Sequence, residues 1–568
     1  MPFSPLRALC RALILLLALA LPAAAQIDTA PRDGRRALGL NLAEVAGWST
    51  ELPFLDVMRS ASRWTGHTGE GWGGMDEPAL FAAGALDADG WVVAFPRGLR
   101  RISTFVLNEL PAEMTSAAGT WHASWEGNAN LGFDGAARSV RYGENSATFD
   151  YTPGQGGVLI QFNRGTLRNL RIVHERNLEP AARGEVFNPD WLALVGDMEI
   201  LRFMDWMLTN HSTLSRWQDR PQVSDYSWSR RGVPLEIMLQ LANQTGAEPW
   251  FTLPHLADDD FVGQFAQMVH DGLRPDLRAW YEFSNEIWNW QFDQAHWADQ
   301  TGRRRWNVDS AWVQYGAVRA AEVMRLIDGI YQGDEARRVR VLGLFTAWLG
   351  LEGVMLDAPD FMAEDPANHR PPHEFFDVLA VTGYFSGELQ AESKSDLVGR
   401  WLADSRAAAE AEGRAQGLGA RALAEYVEAH RFDRAIDWAA QELRDGSVSG
   451  RPDNSVRDLL DRTLVHHAQV AADHGMALVM YEGGTHVVTH PRDHQDDERI
   501  AFFEALNYSP QMGDLYRELI RGWQALTPAP FVAFNDVSRP SVWGSWGHLR
   551  HLDDSTPRWD ALMEASAR

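Results

Sequence analysis

AWYEFSNEIWNW, residues 279–290, reads as a short strand over 279–283 that stops at Ser284-Asn285-Glu286 and opens into an aromatic-rich segment. An Asn-Glu pair at the C-terminal tip of a strand suits a general acid. The amide can bond a substrate hydroxyl while the carboxyl reaches the bond being broken. The dipeptide alone is common in loops. Its weight comes from a second strand-end carboxylate, Glu482 in MALVMYEGG (476–484), and from the alternation of strands and helices between the two.

That alternation extends in both directions. Strand patterns are expected at 37–45, 199–206, 249–255, 279–283, 339–348, 376–384, 477–482 and 530–535. Helical patterns separate most of them: 234–245 ending at Gly246, 260–271 with an acidic first turn, 311–331, 497–507 and 512–526. Near-continuous apolar strands between helices indicate parallel pairing, and eight such units predict an α/β fold, a (β/α)8 TIM barrel. A doubly wound nucleotide-binding sheet is the alternative, but no Gly-rich phosphate loop follows any strand.

Two stretches break the rhythm. Residues 72–178 carry short alternating runs with turn signals such as Asp134-Gly135 and Pro153-Gly154, the pattern of an antiparallel β-sandwich. This predicts an inserted domain between a first barrel strand and helix (26–71, with the helix over 53–64) and the rest of the barrel (179–568). Trp121 and Trp125 in it are either sandwich core or a carbohydrate platform. Residues 390–474 are mostly helical and too long for a simple crossover, so a lid or buttress is expected there.

With 568 residues the chain is long enough for a large barrel plus an extra module. Residues 1–25 read as a signal peptide. Arg7 and Arg11 are its positive region, 12–21 its apolar run and Ala23-Ala24-Ala25 its cleavage site. A secreted protein, periplasmic or extracellular, is expected, without membrane insertion after cleavage. The sole cysteine, Cys10, falls within that leader, so the mature chain would lack thiols and disulfides. Loss of Arg7 and Arg11 takes the net charge from −25 to −27. Such acidity argues against nucleic acid or an anionic membrane as partner and is compatible with a neutral polysaccharide. The 24 tryptophans offer flat apolar faces for sugars as well as core.

Barrel chemistry sits at the C-terminal ends of strands. Those ends carry Arg202, Asp205, His255, Asn285, Glu286, Trp348, Tyr384, Glu482 and Asn535, with Trp543 and Trp546 in the loop beyond. Ser284-Asn285-Glu286 ending the fourth strand, Tyr384 the sixth and Glu482 the seventh resemble clan A, the retaining glycoside hydrolases built on (β/α)8 barrels. SNEIWNW and YEGGTH also look like a group of exported bacterial proteins related to that clan. The resemblance implies Glu286 as acid/base and Glu482 as nucleophile. It implies Asn285 at a sugar 2-hydroxyl, Tyr384 and Arg202 supporting the nucleophile, and Trp543 or Trp546 as a floor for the sugar. It covers about 37–64 and 190–550 as a pattern of strand ends. The sandwich and the helical insertion depart from it.

The physics is consistent with two glutamates, since retaining hydrolysis needs one protonated and one ionised carboxyl about 5–5.5 Å apart. The expected function is hydrolysis of a β-linked poly- or oligosaccharide without a cofactor, with His255 and His486 as further substrate contacts. Glu282, which alternates with Ser284 and Glu286, reads as structural. Two rivals remain: a non-catalytic carbohydrate-binding protein of the envelope, and a metal-dependent lyase or hydrolase using His486, His490, Asp493, His494, Asp496 and Asp497. That cluster has no H-E-x-x-H spacing and contains Pro491, which favours an exposed substrate-side loop over a metal site. Sugar, linkage, endo or exo action and oligomeric state are not encoded in any motif.

Overall fold

The computed structural model describes residues 27–69 and 71–566; the expected leader lies outside them. Eight parallel strands form one sheet whose spatial order is also the chain order. They are Arg36–Asn41, Met198–Arg202, Glu248–Leu253, Ala279–Phe283, Arg338–Gly343, Val378–Phe385, Ala477–Thr485 and Phe531–Ala533. The first strand pairs with both the second and the eighth. The seam between seventh and eighth is narrowed by the Phe534 amide donating to the Gly483 carbonyl at 3.1 Å. This near-closed ring with helices between its strands is the expected TIM barrel. The third, fourth and seventh strands are buried along their whole length, as strands covered on both faces must be.

Local chemistry explains the helix bounds. Asp258 caps helix Asp259–Gly272 by accepting from the Phe261 amide at 2.8 Å. Helix Leu235–Thr245 stops at Gly246, whose φ of 72° is the left-handed conformation that glycine adopts without a Cβ clash. No described helix is long and apolar enough to cross a membrane.

The first break in the pattern is antiparallel. Four strands pair in one sheet (Gly119–Gly127, Arg138–Gly143, Ser146–Tyr151, Leu167–His174) and five in another. Phe133 of the second stacks on Phe149 of the first, centroids 5.4 Å apart. Trp121 and Trp125 are buried, their indole N–H groups donating to the Ala117 and Ala129 carbonyls, so they are core and not sugar platforms. Two sequence expectations need correction here. The helix expected over 53–64 is only the 3-10 turn Val57–Ser60, because Asp56 accepts from the Met58 amide and from Ile172 across to the last antiparallel strand, pinning the segment. Strand Thr65–His67 already pairs with Arg101–Val106, so antiparallel structure begins ahead of residue 72.

The second break is helical: Glu392–Ala415, Ala420–His430, Asp433–Asp445, a short turn running into the π-helical turn Leu459–Thr463, then Leu464–Asp473. Lys394 and Glu442, both buried, pair at 2.5 Å and clamp the first helix to the third.

Candidate active site

The Asn285-Glu286 tip sits where the backbone is strained. Ser284 and Glu286 have φ of 60° and 41°, a left-handed region that L residues other than Asn and Asp rarely occupy. The turn swings Glu286 over the barrel mouth at the end of a buried strand. The seventh strand brings its partner by another device. Met480 pairs with Val381 and Glu482 with Thr382, so Tyr481 is the extra residue of a β-bulge. Strict alternation would send Tyr481 and Glu482 to opposite faces. The bulge lets both reach the mouth. The glycines that follow leave room: a Cβ on Gly483 would stand 2.8 Å from the Phe531 ring and 2.5 Å from the Met480 sulfur.

Each oxygen of the two glutamates has its own donor. Glu286 Oε1 accepts from the Tyr481 hydroxyl at 3.0 Å and Oε2 from Asn289 Nδ2 at 2.8 Å. Glu482 Oε1 accepts from Arg202 Nη1 at 2.7 Å and Oε2 from the Tyr384 hydroxyl at 3.0 Å. Burial, and then the charge on Glu482, push the Glu286 carboxyl up to about 8. Burial raises Glu482 too, but the Arg202 guanidinium and the Tyr384 hydroxyl pull against it. Of the pair, Glu286 is the one placed to keep a proton.

Arg202 is the hub beneath them. Fully buried, it donates to Glu482, to Glu282 Oε2 at 2.8 Å, to Asn285 Oδ1 at 2.8 Å and to Asn41 Oδ1 at 2.9 Å. Its guanidinium lies over the Tyr481 ring, 5.1 Å from the centroid. Glu282 also accepts from the Trp250 indole at 2.9 Å, so it is an inward carboxylate with a structural role. Asn285 is held at both ends, its Nδ2 donating to Asn210 Oδ1 at 3.1 Å, which leaves one N–H for a ligand.

Glu286 and Glu482 line one cavity of about 880 Å³, together with Asn285, Tyr384, His486, Trp543 and Trp546. Trp546 meets Tyr384, His486 and Phe534 edge-on and forms an aromatic wall. Trp543 stands at the rim, 65% exposed. Two of the expected site residues do not line this cavity. Arg202 lies under the carboxylates, spent on ion pairs. His255 is buried with its ring edge-on to Trp297, in surroundings that hold it down to about 4, mainly by burial. The fifth strand ends at Gly343, so Trp348 lies beyond its tip, and Phe345 and Thr346 line the cavity instead.

The cavity also contains residues to which the sequence reading gave no role: Glu44, Trp48, Glu51, Asp205, Asn289, Asn454 and Asp458. Asp205 was visible as a strand-end acid; burial, then Glu44 and Glu482, push it up to about 8. Trp48 could have been flagged as an aromatic after the first strand. Nothing in the sequence singled out Asn454 or Asp458, which reach the mouth from the helical insertion.

The histidine- and aspartate-rich loop after the seventh strand does not gather at metal-binding distance among the described residues. Its polar groups are used locally. His490 caps a 3-10 turn by accepting from the Arg492 amide, His494 pairs with the Thr489 carbonyl, and Asp496 caps helix Asp497–Asn507.

No family model matches the chain, and no curated protein matches it. Solved structures similar to it include a GH51 arabinofuranosidase from Xanthomonas axonopodis pv. citri (TM-score 0.34, 12% identity, 66% of this chain and 65% of that one). The chain thus spans about two thirds of that enzyme's length. Others are the CBM22-1–GH10 modules of a Clostridium thermocellum endo-1,4-β-D-xylanase (0.33, 9%, 93% and 97%) and fungal β-1,4-galactanases (0.32, 8%, 68% and 95%). Likeness of that order assigns neither family nor substrate.

Proposed function

We propose that the chain is an exported retaining glycoside hydrolase acting on a β-linked poly- or oligosaccharide, with Glu286 as acid/base and Glu482 as nucleophile. One observation carries this reading: a half-buried and a buried carboxyl line one cavity in opposite electrostatic settings, Glu286 raised to about 8 and Glu482 paired with Arg202 and Tyr384. Glu286 gives its proton to the glycosidic oxygen as the C1–O bond breaks and the alcohol leaves. Glu482 attacks C1 and forms a glycosyl ester. Glu286, now a carboxylate, takes a proton from water; that oxygen attacks C1, and Glu482 departs as carboxylate. We read Asn285's remaining N–H as the donor to a sugar hydroxyl and Trp546 as a platform for the sugar's apolar face. We read the two antiparallel sheets as a sandwich inserted after the first barrel strand, and residues 1–25 as its export signal.

The test is hydrolysis of a polysaccharide panel with NMR of the first-formed anomer. A product of the substrate's own configuration supports retention; the opposite anomer assigns an inverting pair about 6.5–9.5 Å apart. Glu482→Gln is expected to cut turnover by about a thousandfold or more while the fold persists by circular dichroism. Full activity in that variant refutes the assignment.

A further inference from the structure

A second group of chemistry-bearing side chains stands behind the cleft wall. Glu352, in the first turn of helix Leu351–Asp357, faces His466 and His467, in the first turn of helix Leu464–Asp473. One carboxylate oxygen and one ring nitrogen from each histidine lie within 4.8 Å of one another. Glu352 and His467 are buried. The Glu352 carboxylate is oriented from behind, Oε2 accepting from the Gly350 amide at 2.7 Å, while Oε1 meets His466 Nε2 at 2.5 Å.

His467 supplies the telling detail. Its Nε2 lies 2.9 Å from the Thr346 carbonyl, which can only accept, so Nε2 carries the proton. Its Nδ1 then presents a lone pair, and that atom is buried without a hydrogen-bond partner among the described residues. A histidine with one nitrogen donating to a backbone carbonyl and the other buried and uncommitted has the arrangement of a metal ligand with its orienting contact in place. In a purely structural role the bare Nδ1 would be a cost with nothing to offset it.

We propose that Glu352, His466 and His467 form a binding site for a divalent transition metal of the zinc class, apart from the two glutamates that do the hydrolysis. Two imidazoles and one carboxylate are a donor set that such ions favour, and calcium and magnesium do not. Coordination at about 2.0–2.2 Å draws the three ligands together and replaces the His466–Glu352 hydrogen bond by two metal bonds. The ion's place in the fold gives it a consequence. Thr346, which orients His467, lines the cleft, and so do Leu459 and Thr463 of the π-helical turn that leads into the histidine-bearing helix. A metal here ties the loop after the fifth strand to the helical insertion and stiffens that wall.

A control lies at the other end of the same two helices. Asp357, His373 and His474 also approach one another, but that group is open to solvent and neither of its histidines has a buried ring nitrogen without a partner among the described residues.

The full chain, stripped with chelator and dialysed, is titrated with zinc chloride by calorimetry, and bound metal is counted by mass spectrometry. One saturable equivalent is expected, with a rise in thermal midpoint. His467→Ala and His466→Ala are expected to weaken it by about a hundredfold or more and to abolish the rise, whereas His474→Ala leaves both unchanged. Unaltered circular dichroism in the metal-free variants separates a lost ligand from a lost fold, and Glu352→Gln, which keeps shape and hydrogen bonding, gives the same answer without removing a ring. No saturable binding by the parent chain overturns the proposal. So does binding that survives in His467→Ala and His466→Ala, or that is lost only in His474→Ala.

Discussion

Tyr481 donates to Glu286, and that bond stabilises the ionised carboxylate against the burial and the Glu482 charge that raise it. Removing the hydroxyl as Tyr481→Phe therefore moves Glu286 further up. In the proposed mechanism Glu286 must be protonated to act as acid, so the basic limb of kcat/KM, expected near pH 8 in the parent, is expected to shift to higher pH. The acidic limb, set by Glu482, stays. A pH–rate profile in which neither limb moves removes Tyr481 from the proton chemistry. Asp205 makes a separate prediction, about stability. Its carboxyl is raised to about 8 in the fold from an ordinary value near 4, so the native state prefers it neutral. The stability tied to that preference is fully present below pH 4 and is lost as pH climbs towards 8. Asp205→Asn is neutral at every pH. It is expected to melt with the parent at pH 4 and several degrees above it at pH 8, as read by calorimetry; coincident curves at both values refute the proton-holding aspartate.

The elements that carry these residues depend on contacts made far from the mouth. Lys394 joins the first helix of the insertion to Glu442 on the third, and also donates to the Gly387 carbonyl at 2.7 Å. Glu442 in turn holds the Ser449 amide at 2.9 Å, just ahead of the segment that brings Asn454 and Asp458 to the cleft. Lys394→Met strands a buried carboxylate and is expected to cost about 3–5 kcal/mol in denaturant unfolding, most of which Lys394→Met with Glu442→Leu recovers. The barrel strands were legible because each is a continuous apolar run between helical patterns, and Glu286, Glu482 and Tyr384 were legible because each ends such a run. Tyr481 was not. A period of two assigns it to the opposite face from Glu482, and only the pairing with the sixth strand reveals the bulge. The helix expected over 53–64 failed for a related reason: apolar spacing suited a helix, but Asp56's bonds to a distant strand override it. Nor does spacing separate His490 and Asp496 of the loop after the seventh strand, which cap a 3-10 turn and a helix, from ligands; backbone geometry does.

At the scale of the whole molecule the cavity is assembled from parts of the chain with separate origins: the loop after the first strand, the fourth-strand tip, the helical insertion and the loop after the eighth strand. The overall charge of −25 opposes an anionic polymer, which favours a neutral glycan. Trp48 and Trp543 both line this cavity and expose more than half their surface, 55% and 65%. Water is released from such a face only when something flat and apolar covers it, and the carbon–hydrogen face of a pyranose does so. Neither ring bonds Glu286 or Glu482, so under the proposed function they are expected to bind sugars beyond the one being cleaved. Trp48→Ala and Trp543→Ala are each expected to lower kcat/KM about tenfold on a long oligosaccharide, equivalent to ~1.4 kcal/mol, chiefly through KM. On an aryl monoglycoside, which reaches no further than the glutamates, both variants are expected to match the parent. Equal losses on the two substrates would instead place the tryptophans at the cleaved sugar and turn the cleft into a closed pocket with exo action; no loss on either would leave them as rim residues outside the path of the chain.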